Sequence, residues 1–132
     1  MGSQTGISGC VLLGHAHQRL SEGLRAWLQA SFDGVFVVAD TASLIAGAHK
    51  LQPQLVVLDL ALAEGRLAPL LAELQRGAPR CRMLVLSDHE DADVDASILS
   101  AGADGVVHKA SLATDLLPAV DAVLEGRRYG AH

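Results

Sequence analysis

The chain has 132 residues but only two cysteines, four prolines and 3% aromatic residues. Cys10 and Cys81 each sit beside an apolar run, which fits buried free thiols better than a disulfide or redox pair. No apolar run approaches the roughly 20 residues of a membrane span. The opening Met1-Gly2-Ser3-Gln4-Thr5-Gly6 lacks the positive start and apolar stretch of a secretory signal. A cytoplasmic protein with no membrane partner is therefore expected. There is no basic cluster, and the net charge is −5, so this domain is not expected to bind nucleic acid. Arg127-Arg128 is too small a pair to change that. No repeat or low-complexity segment is visible, and no Gly-x-Gly-x-x-Gly follows the first apolar run, which disfavours a dinucleotide fold.

What the chain does have is apolar surface. Half its residues are hydrophobic, enough for one domain with a single core and no metal or disulfide. Five short apolar runs, Cys10–Leu13, Val35–Ala39, Leu55–Leu58, Met83–Leu86 and Gly105–His108, read as parallel strands covered on both faces. Five helical stretches alternate with them, near 18–30, 42–51, 67–76, 92–101 and 113–125. Thr41 reads as an N-cap, Gly77 and Gly102 as C-caps, and Pro118 as a residue that delays or bends the fifth helix. Trp27 reads as core packing. The pattern predicts an α/β fold, a doubly wound five-stranded parallel sheet with five helices. Ligands in such sheets bind beyond the carboxyl ends of the strands.

Those ends carry chemistry. Asp59 closes the third run and can act as a nucleophile toward a phosphoryl group. The transition state spreads charge over three oxygens and needs donors and cations nearby. Ser87 ends the fourth run and offers a hydroxyl; Lys109 follows the fifth and offers a fixed positive charge. The bland alternative for Asp59 is a strand-end acid paired with Lys109.

At these residues the chain resembles the receiver domain of bacterial two-component response regulators, of the NarL/FixJ/LuxR type. Pro53-Gln54-Leu55-Val56-Val57-Leu58-Asp59-Leu60, Leu84-Val85-Leu86-Ser87 and Ala101-Gly102-Ala103-Asp104-Gly105 followed by Lys109 carry the likeness. It extends from Cys10 to Tyr129. The resemblance implies a flavodoxin-like sheet in strand order 2-1-3-4-5 and a non-enzymatic signalling module. Asp59 would be the phosphoacceptor, Ser87 the switch hydroxyl and Lys109 the phosphate-pairing cation. The partners it implies are a histidine kinase or other signalling protein and a C-terminal helix-turn-helix DNA-binding domain. Exposed parts of the first and fifth helices offer a face for a homodimer. Residues 1–9 are expected to be a loose tail or expression remnant, 10–126 the receiver and 127–132 the start of a linker.

The departures concentrate in one machinery. The family's acidic pair after the first strand falls on His15 and Ala16. Mg²⁺ prefers hard oxygen ligands, Ala16 offers none, and imidazole suits softer metals. No cofactor is expected: Mg²⁺ would have Asp59 at most, and would bind weakly. The family's aromatic switch position is Val106, Asp88 follows Ser87, and Ala61-Leu62-Ala63-Glu64-Gly65 replaces the usual loop after Asp59. The favoured reading of His15 is an imidazole filling the vacated acid pocket. The alternatives are a substitute metal ligand with Asp59 and His17 or Asp88, or a pH sensor. The acidic run from Asp88 to Asp93 reads as a solvated loop and helix N-terminus, with a docking patch as the alternative. His108 reads as a strand-edge residue. The expected function is an atypical receiver with weak or absent Mg²⁺-dependent phosphorylation at Asp59. The alternatives are an ordinary phospho-accepting receiver and, remotely, an aspartyl phosphatase. The last would need a general acid where Ala61 stands.

Overall fold

Runs of Val and Leu that are apolar at every position can only be satisfied with cover on both faces, and the sheet provides it. The computed structural model describes residues 7–15 and 18–130. Strands β1 (Ile7–Gly14), β2 (Phe32–Val38), β3 (Leu55–Asp59), β4 (Arg82–Ser87) and β5 (Gly105–His108) are all parallel, in the order β2-β1-β3-β4-β5. Between and after them run α1 (Gln18–Gln29), α2 (Thr41–Leu51), α3 (Leu67–Gly77), α4 (Ala92–Ser100) and α5 (Leu112–Leu124). Short 3-10 turns at Leu60–Ala63 and Lys109–Ser111 follow β3 and β5. Architecture and strand order are those expected.

Alternate residues of each strand feed two cores. Leu12, Val56, Leu58, Met83, Val85 and Val106 pack with α2, α3 and α4. Val11, Leu13, Leu55, Val57, Leu84, Leu86 and Val107 pack with α1 and α5. All five residues of β3 are buried. The central strand therefore holds Asp59 against a rigid floor.

Several local expectations change. β1 begins at Ile7, so three residues of the expected tail belong to the sheet. β2 starts at Phe32, not Val35, because it pairs along β1 from that point. Asp40, not Thr41, caps α2: its carboxylate accepts from the Ser43 amide at 2.7 Å. Gly77 is the last residue of α3 and Ala78 its cap. Gly102, at φ 118°, does take the left-handed turn after α4. Pro118 lies inside a continuous α5 that starts at Leu112 and is not delayed. Trp27 is 41% exposed, since the buried face of α1 is set by Leu24 and Leu28 and leaves its neighbour outside. Cys81 is buried, whereas Cys10 is only partly so. Met1–Gly6 of the expected tail, Ala16, His17, Ala131 and His132 lie outside the described residues. Among the described residues no helix is long and apolar enough to cross a membrane.

Candidate functional site

Strand register assembles the site. Gly14 pairs with Leu58, so His15 and Asp59, the next residues, come side by side. Asp59 pairs with Leu86, which brings Ser87 to the same edge, and Ser87 pairs with His108, which brings Lys109. Four of the side chains named from sequence, His15, Asp59, Ser87 and Lys109, thus share the carboxyl edge of the sheet. Ala16 lies outside the described residues.

Asp59 is 3% exposed and its two oxygens have different surroundings. Oδ1 accepts from the Ala61 amide at 3.0 Å, which shapes the 3-10 turn after β3. Oδ2 accepts from Lys109 Nζ at 2.7 Å and lies 3.0 Å from His15 Nε2. His15 is itself buried, and its amide donates to the Val38 carbonyl at 2.9 Å. The main chain anchors the residue through its backbone, and its imidazole meets Asp59. His15 stands directly after β1, beside Asp59.

Lys109 Nζ also lies 3.4 Å from both oxygens of Asp88. The Asp88 side chain is 66% exposed and that of Asp59 only 4%. An exposed pair contributes about 0–1 kcal/mol, whereas breaking a buried one costs about 3–5 kcal/mol. Lys109 therefore belongs to Asp59, and Asp88 is a secondary contact on the rim. Ser87 is fully buried, and its hydroxyl accepts from the His89 amide at 3.0 Å, so it is turned into its own loop. Val106 is buried in the core that also holds Met83, Val85 and Leu99.

This donor set does not fit Mg²⁺. Among the described residues one buried carboxylate, Asp59, is present at the site; its Oδ2 faces an ammonium and an imidazole, and the exposed Asp88 faces the same ammonium. A hard octahedral cation needs oxygen ligands that are not already held by cations. The substitute-ligand reading of His15 includes His17, which lies outside the described residues; among the described residues no cluster of three or more His, Cys, Asp or Glu could hold a metal.

The acidic run after Ser87 is used locally. Asp91 caps α4, accepting from the Asp93 amide at 2.8 Å, and Asp93 and Asp95 fall in the first turn. Sequence reasoning missed Asp95. It is buried and both its oxygens meet His108 Nε2, at 3.0 and 2.9 Å. His108 is thus no idle edge residue: it ties β5 to α4. The pair is 13 positions apart, and nothing in their spacing marks it.

A parallel 2-1-3-4-5 sheet with an aspartate, a hydroxyl and a lysine at its carboxyl edge defines a receiver. Residues 11–121 match the Response regulator receiver domain family, and the chain belongs to that family. The response regulator protein VraR of Staphylococcus aureus is 30% identical over 114 residues, covering 83% of this chain and 54% of VraR. The chain thus spans about half the length of the curated relatives it matches. Among solved structures, a LuxR-family two-component response regulator from Aurantimonas sp. superposes with a TM-score of 0.83 at 25% identity, covering 94% of this chain and 90% of that one. The isolated receiver domain of RcsB from Salmonella enterica serovar Typhimurium, in the presence of phosphomimetic BeF3⁻, gives a TM-score of 0.76 at 22% identity, with 93% and 94% covered. That second likeness concerns the fold alone.

Proposed function

We propose that this chain is an atypical receiver whose Asp59 takes up phosphate weakly or not at all with Mg²⁺. One observation carries the reading: buried His15 stands 3.0 Å from Asp59 Oδ2, on the oxygen that Lys109 already holds at 2.7 Å. Phosphoryl transfer to a carboxylate needs a metal to gather the charge of three phosphoryl oxygens. Here the acid that would share that metal is an imidazole, and the next position is Ala16. Asp88 adds negative charge to the entry side.

The module signals through contacts with a partner protein, a histidine kinase or another signalling component, and is not an enzyme. Its likeness to LuxR-family regulators supports control of an attached helix-turn-helix DNA-binding domain in the cytoplasm. The ordinary phospho-accepting receiver is the second reading, favoured by the convergence of Asp59, Ser87 and Lys109 at one edge. The phosphatase reading has no support, since Ala61 offers Asp59 only a backbone N–H.

The test is Mg²⁺ titration by calorimetry of the wild-type chain and of the double variant His15→Asp, Ala16→Asp. The double variant is expected to bind Mg²⁺ at least about tenfold more tightly, since it restores hard oxygen ligands. Equal affinity in the two proteins would overturn the reading.

A further inference from the structure

β5 ends the sheet, and an open edge there would present unpaired main-chain groups. The edge is covered by the chain itself. After α5 the backbone turns at Gly126, φ 86°, and the Arg127 amide donates to the Ala122 carbonyl at 2.9 Å. The Tyr129 amide then donates to the Asp104 carbonyl at 3.2 Å, and the Val106 amide to the Tyr129 carbonyl at 3.0 Å. Gly105 and Tyr129 form a parallel bridge. Residues expected to lead away as a linker instead fold back as a one-bridge sixth strand.

Two glycines make this docking possible. A Cβ on Gly105 would lie 3.2 Å from the Tyr129 Cβ and 2.9 Å from Leu84 Cδ1. A Cβ on Gly130 would meet the Val106 carbonyl at 2.6 Å, and its φ of 93° already favours glycine. Tyr129 packs on the core shared with α5 and lines one pocket with Asp115. Burial, then the Asp115 charge, pushes its phenol above the ordinary value.

β5 therefore has two attachments. Its end carries Lys109, held by Asp59 at 2.7 Å, while its outer edge carries the strap. His108, between them, is held to α4 by Asp95. We propose that residues 127–130 form a releasable latch whose docking on β5 is coupled to the Lys109–Asp59 pair. The proposal rests on the reading of this chain as a signalling module, though not on its phosphorylation chemistry. Two main-chain hydrogen bonds join the strap to β5 and to Asp104 just before it, and Arg127 and Arg128 are exposed, so opening belongs to the low-cost end of local unfolding. Loosening Lys109 frees one end of β5 and weakens the seat of the strap. Release uncovers the Asp104 carbonyl and the Val106 amide, the groups by which a sheet edge accepts another strand.

The test is amide hydrogen exchange by NMR on the full chain, with neither Mg²⁺ nor phosphodonor, in wild type, Lys109→Met, Asp59→Asn and Gly130→Val. The Val106 amide is expected to be protected in wild type. It should exchange at least about tenfold faster in both site variants, while the β3 amides of Val56 and Val57 keep their rates. Gly130→Val should open the strap directly and lower the phenol pKa, read by ultraviolet titration of the chain's single tyrosine. An unprotected Val106 in wild type would overturn the latch. Unchanged Val106 exchange in the site variants, or equal acceleration at Val56 and Val57, would overturn the coupling. A chain that proves to accept phosphate readily leaves each of these outcomes intact, so the two readings fail separately.

Discussion

At the scale of single residues, the site shows which features a linear reading can reach. Asp59, Ser87 and Lys109 were legible because each ends a strand, and parallel strands bring their carboxyl ends together. His15 was legible as a substitution, and the structure adds its contact with Asp59. The Asp95–His108 tie was invisible, because it depends on how α4 lies across β5. His108→Ala would leave the Asp95 carboxylate without that partner. We expect a loss of about 1–3 kcal/mol in urea denaturation, and an unchanged midpoint would refute the tie. Trp27 was read as core and is exposed. Its fluorescence should be quenched by acrylamide in the native state nearly as in the unfolded state. Cys81 behaves as the buried thiol expected, and burial, helped by Asp104, pushes it to about 11. A raised thiol favours the protonated form in the native state. Its contribution is full below the ordinary value of 9.0 and is lost as pH rises through about 11. Thermal melts of Cys81→Ala should lose less stability than wild type across that window.

At the scale of elements, periodicity located all five helices and all five strands, and erred mainly at their ends. The reason is visible at α2. Asp40 and Thr41 are adjacent capping types, and only backbone geometry decides between them. Hydrogen bonds from Ser43, the backbone one foremost, hold the Asp40 carboxyl below its ordinary value of 3.8. A lowered carboxyl stabilises the native state above the ordinary value, and that contribution is lost as pH falls through the lower native one. Asp40→Ala should therefore melt earlier than wild type at neutral pH, and the gap should close as pH falls below 3.8. A gap that persists in acid would argue against the cap. Pro118 shows the opposite limit: a residue that breaks helices by rule sits inside α5.

At the scale of the whole molecule, the expected strand order holds, and two cores grip β3 from both faces. Leu58 is fully buried directly before Asp59, so Leu58→Ala should cost about 2–5 kcal/mol and loosen the site with the core. The frame here is that of a receiver, and its Asp59 faces an imidazole and an ammonium where a metal would need oxygens. Intact-mass analysis of the wild-type chain, incubated with a small phosphodonor with and without Mg²⁺, tests that contrast most directly. The account predicts little or no added phosphoryl mass in either condition; rapid, Mg²⁺-dependent gain of one phosphoryl group, abolished by Asp59→Asn, would contradict it.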